Sequence, residues 1–82
     1  MYKKIEEIFS FEFGFYYSLE EIEVIAIHHP TNQVRTLGNC TREADASFIL
    51  ETCIQYGFQE NGMVFHKIPG YQLKNMPELI EV

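Results

Sequence analysis

Apolar and polar positions alternate most clearly along "IFSFEFGFYYS", residues 8 to 18. Phe9, Phe11, Phe13, Phe15 and Tyr17 fall on one side of a strand, and Ser10, Glu12, Gly14 and Tyr16 on the other, because successive side chains point to opposite faces. A helix would scatter the rings around its circumference, so the period of two and the β-propensity of aromatic residues predict a strand. Ile5, Ile8 and Phe9 stand at helical spacing, compatible with a short helical turn from Tyr2 to Ile8. With or without that turn, the chain is extended from Ser10 onward.

Ser18-Leu19-Glu20-Glu21 interrupts the alternation and reads as a turn, followed by a second strand from about Ile22 to His29. Ile22, Val24 and Ala26 lie on one face of that strand and Ile25 and Ile27 on the other, the pattern of a strand covered on both sides in the middle of a sheet. Pro30 to Gln33 has turn chemistry, and "VRTLG" after it predicts a short third strand. Thr41 then caps a helix whose first turn carries Glu43 and Asp45, with Ala46, Ile49, Leu50, Cys53 and Gly57 on one face. Gly57 ends it with a left-handed cap. In "FQENGMVF", Asn61-Gly62 is the preferred two-residue hairpin turn, so a hairpin spans residues 58 to 68. An edge strand up to Lys74 and a helical turn from Pro77 are expected beyond Pro69-Gly70.

The predicted fold is α+β, a small antiparallel sheet in the order strand, strand, strand, helix, strand, strand, with one long helix packed on one face. With 82 residues the chain is one domain, residues 1–82, and hydrophobic residues at 46% against 22% charged place it among folded globular proteins. A domain of this size buries only roughly 60–65% of its unfolded surface, so added burial from a partner or a second copy would matter.

The formal charge is −6, from 12 acidic and 6 scattered basic residues. Nucleic-acid binding requires a basic stripe that displaces counterions, and none is present, so direct nucleic-acid binding is excluded. No apolar run is long enough to cross a bilayer, and Glu6, Glu7 and Glu12 interrupt the first 20 residues, so no membrane association and a cytoplasmic location are expected.

Chemistry enters only at a few positions. Cys40, at the predicted helix start, is a place where the helix dipole lowers a thiol's pKa, with His28, His29 or His66 as a base only if the fold brings one near. The more economical reading is a small residue chosen for packing, and both Cys40 and Cys53 are expected as free thiols. Paired metal-ligand spacings are missing, and His28 and His29, adjacent on a strand, point to opposite faces. No catalytic residue, metal or cofactor is therefore assigned.

One helix covers one side of a sheet, while the second strand is apolar on both. The face away from the helix is covered by the C-terminal segment, left as ordinary surface, or used as a partner-binding surface, and the candidate residues for the last are Tyr16, Glu20, Glu21, Glu23, Ile25 and Ile27. Such a surface suits a protein partner with a basic, partly apolar surface. The expected function is a small acidic protein-binding module, such as a stoichiometric inhibitor, an antitoxin or a phage anti-defence factor. A homodimer or larger oligomer packed through the free sheet face is the alternative, followed by a Cys40-dependent enzyme.

Overall fold

A computed structural model describes residues 1–74 of the chain. Four antiparallel strands in sequential order form one sheet: β1 (Tyr2–Ile8), β2 (Phe11–Tyr17), β3 (Ile22–His28) and β4 (Gln33–Cys40). The helix α1 (Glu43–Tyr56) follows, then a separate two-stranded hairpin of β5 (Phe58–Glu60) and β6 (Met63–Phe65). This is the α+β arrangement that the pattern predicts, with one strand more at the N-terminus.

The added strand is β1, where a helical turn was compatible with the spacing. A β-bulge explains that spacing: the β1–β2 register slips between Lys4 and Glu6, inserting Ile5 as an extra residue, so that Ile5 and Ile8 face the core three positions apart instead of two. A second bulge in β4 leaves Leu37 without a partner in β3. The turn linking β1 to β2 is Phe9-Ser10, and Phe9 therefore leaves the predicted row of rings. It is 86% exposed, with φ +55°.

Phe11, Phe13 and Phe15 are buried, and the β2–β3 register sets them beside His28, Ala26 and Val24 on one face of the sheet. The helix covers this face with Ala46, Ser47, Leu50 and Ile54. The predicted helical face is thus rotated slightly: Ile49 and Cys53 are half-buried, while the row at four-residue spacing, Ala46, Leu50 and Ile54, is completely enclosed. Gly38 in β4 admits the helix closely, since a Cβ there would stand 3.1 Å from the Ile49 side chain. Thr41 does not cap the helix. Arg42 occupies the cap position in extended geometry with no side-chain cap bond, and its carbonyl accepts from the Ala46 amide at 3.0 Å. At the other end Gly57 stops the helix, but with φ +76° and ψ 176°, a conformation open to glycine and distinct from the expected left-handed cap, while its amide donates to the Cys53 carbonyl at 2.7 Å.

One helix is too short to shield the whole aromatic row, and the hairpin completes the cover. Asn61 (φ +51°) and Gly62 (φ +82°) make its turn, as the dipeptide predicts. Phe65 meets Phe11 and Phe13 edge-on, each at 5.2 Å between ring centroids, and Phe58 meets Phe11 edge-on at 5.5 Å. Edge-to-face contacts of this kind add about 0.5–1.5 kcal/mol each beyond area burial.

Residues 66–74 then cross the same side of the molecule without forming the expected edge strand. Ile68 donates its amide to the Ile54 carbonyl at 3.0 Å, Gln55 donates to the Tyr71 carbonyl at 2.9 Å, and the Tyr71 hydroxyl donates to Glu6 on β1. Leu73 joins the core. The helical turn expected from Pro77 lies outside the described residues.

Candidate functional site

The face of the sheet turned away from the helix is built from the alternate residues of each strand. Tyr16, Glu23, Ile25 and Ile27 share it, because Tyr16 is registered against Glu23, Gly14 against Ile25 and Glu12 against Ile27. The segment 66–74 lies on the helix side, so among the described residues the tail does not cover this reverse face. The chain's second residue covers part of it. A Cβ at Gly14 would overlap the ring and hydroxyl of Tyr2, which therefore lies flat across the glycine. Tyr2 donates its hydroxyl to Glu12 Oε2 at 2.7 Å, and Glu12 Oε1 faces His29 Nε2 at 3.2 Å. With that ring over Gly14, Ile25 beside it is only 8% exposed. Ile27 is half-buried, and Tyr16 is 48% exposed.

Glu20 and Glu21 lie off this face, in the four-residue loop joining β2 to β3. Three hydrogen bonds close that loop: the Ser18 amide and hydroxyl both donate to the Glu21 carbonyl at 3.0 Å, and the Glu21 amide donates back to Ser18 Oγ at 3.3 Å. Its tip is therefore held, and it carries Leu19, whose side chain makes no packing contact that hides it from solvent, at 105% exposure. Sequence reasoning passed over Leu19. The available signal was an aliphatic residue inside a four-residue turn otherwise made of Ser and Glu.

Beside Leu19, open clefts run between this loop and the junction of β4 with the helix, lined by Glu20, Glu21, Asn39, Thr41 and Glu43. Tyr17 ties the two together, its hydroxyl donating to Glu43 at 2.8 Å. Burial and that carboxylate both hold the phenol above its usual pKa. Among the described residues Glu20, Glu21 and Glu23 have no ion-pair partner, and the nearby cation Arg42 is engaged with Asp45 at 3.5 Å. This end of the molecule thus joins a bare aliphatic side chain to unneutralised carboxylates, with Tyr16 and Glu23 continuing it onto the reverse face.

Cys40 also lies here, at the end of β4 rather than in the helix. The lowered thiol pKa expected from a helix start is reversed: burial pushes it up, and the Asp45 and Glu21 carboxylates push it further. Cys40 and Cys53 are both free thiols. Among the described residues no three His, Cys, Asp or Glu side chains form a group that could hold a metal ion, and no helix is long and apolar enough to cross a membrane. Comparison with protein-family models, with curated proteins and with solved structures gives no match.

Proposed function

We propose that the protein is a stoichiometric binding module that engages a basic, partly apolar surface of a partner protein, in the manner of a small inhibitor, antitoxin or phage anti-defence factor. The observation that supports this most directly is Leu19, fully exposed on a loop closed by three hydrogen bonds and flanked by Glu20 and Glu21. A hydrogen-bonded loop loses little freedom on docking, so the apolar contact of Leu19 is not spent on ordering the chain. Carboxylates around it speed encounter with a basic surface and disfavour acidic competitors. Tyr16 and Glu23, adjacent in register and both accessible, extend the same surface. Ile25 and Ile27 support the sheet beneath it and offer little area themselves.

The test compares three baits in affinity capture from cells that produce the protein: the unchanged chain, Leu19→Ser, and the double substitution Glu20→Lys/Glu21→Lys. Proteins with basic surfaces should be retained by the unchanged chain, released as salt rises, and lost from both variants. Retention of the same set by the charge-reversed bait, or release that ignores salt, would overturn the reading.

A further inference from the structure

The two edges of the sheet are unlike. A bulge interrupts each edge, at Ile5 and at Leu37, but on β1 Lys3, Lys4, Glu6 and Glu7 also place four charges in seven residues, and Tyr71 brings the chain's own later segment against Glu6. Charges and covering loops keep an edge strand from pairing further. On β4, eight residues carry a single charge, Arg35, and that guanidinium is turned inward to Glu60 at 2.7 Å and over the Phe58 ring. Among the described residues the only strand that pairs with β4 is β3, and the hairpin of β5 and β6 forms its own sheet. Among the described residues the outer edge of β4 thus has no strand paired to it, and an open groove of about 430 Å³ runs alongside Gln33 to Thr36, walled by Glu60, Asn61 and Met63.

We propose that the outer edge of β4 pairs antiparallel with the same edge of a second copy of this chain. With the two-fold axis at Thr36, which faces the same residue of the other copy, Gln33 faces Cys40, Val34 faces Asn39, and Arg35 faces the bulge pair Leu37-Gly38. Each pair keeps both members on one side of the sheet, because the register against β3 puts Gln33, Arg35, Gly38 and Cys40 on the helix side and Val34 and Asn39 on the reverse side. The extra residue of each bulge, Leu37, lies on the helix side beside Gly38. The one charge on the edge meets a glycine, so no like charges stand opposite each other. The result is one continuous sheet through both copies, with Val34, 60% exposed in the single chain, covered across the junction. The edge meets the cleft beside Leu19 at Asn39 and Cys40, so the two proposals are told apart by their variants: Thr36→Lys alters the edge alone, and Leu19→Ser the loop alone.

Sedimentation velocity over a wide range of concentrations, with hydrogen exchange at the lowest and highest, tests it on the full chain. The expected result is a monomer–dimer equilibrium in which added amide protection is confined to residues 33–40. Thr36→Lys, which brings two ammonium groups together near the axis, should raise the dissociation constant about tenfold or more while leaving the circular dichroism of the monomer unchanged. Lys3→Thr on the opposite edge should leave the constant as it is. A monomer at every concentration overturns the proposal, as does a dimer that survives Thr36→Lys or whose protection appears outside β4.

Discussion

The two faces of the sheet are closed by different means. On the helix side, Phe11, Phe13 and Phe15 are buried by a helix and a hairpin that follow in the chain, a many-sided packing of rings and aliphatic side chains. On the reverse side one ring, Tyr2, lies in the space that Gly14 leaves and is fixed by a hydrogen bond to Glu12. The first arrangement uses bulk; the second uses a gap and a single aromatic side chain that reaches diagonally across the strand pair, since Tyr2 is registered against Tyr16 and Gly14 against Lys4. The difference teaches that apolar residues on both faces of a strand need not imply a second layer, because a neighbouring strand can supply the cover.

Four substitutions put that contrast to the test, beginning with the helix side. Phe13→Ala should cost about 3–5 kcal/mol in urea or thermal unfolding, a large part of the stability of a domain this small. On the reverse face, Gly14→Ala should cost about 1–2 kcal/mol, because the added Cβ displaces the Tyr2 ring and breaks its bond to Glu12. The mechanism has its own check: in a Tyr2→Ala background the same Gly14→Ala change should cost almost nothing, and additive effects would show that Tyr2 is not the obstacle.

Tyr2→Phe keeps the ring and removes only the hydroxyl, so a loss of about 1 kcal/mol is expected at neutral pH. It should also change the alkaline limb. Burial first, then the bond to Glu12, hold the Tyr2 phenol above its usual value, and Tyr17 and Tyr71 are held up in the same manner by Glu43 and Glu6. In the unfolded chain these groups lose their protons near pH ~10, while the folded chain retains them. Their contribution is therefore intact below that pH and falls as pH rises beyond it, and Tyr2→Phe should make the decline shallower. An identical slope would mean that Tyr2 ionises alike in both states. The smallest effect belongs to neither face. Phe9, exposed with φ +55°, occupies a position where glycine carries no steric cost, so Phe9→Gly should stabilise the fold by about 0.5–1 kcal/mol.

Legibility in the sequence followed how local the cause was. Asn61-Gly62 specifies its turn within two residues, Gly57 ends its helix within one, and the apolar run of β3 marks a central strand without reference to anything else. The bulge at Ile5 was not legible, because it depends on the β2 register and disguises a strand as helical spacing. Nor was the exposure of Phe9, which continues the alternation of β2 yet lies in the turn. Of the candidate site, Tyr16, Glu20, Glu21 and Glu23 come together near one end of the sheet, while Ile25 is withdrawn by a ring from a strand whose existence the pattern did not establish. The projection of Leu19 arises from the Ser18–Glu21 bonds.

The sequence by itself determined the class of fold, the central place of β3, the helix with its glycine stop, the hairpin turn and the acidic character of the chain, since each rests on periodicity, turn chemistry or charge within a short window. Tertiary structure decided which rings are buried, how the reverse face is closed and, among the described residues, which sheet edge has no paired strand and where carboxylates without an ion-pair partner gather. Those outcomes depend on register between strands distant in sequence, and a one-residue slip in register moves a side chain from the core to the solvent.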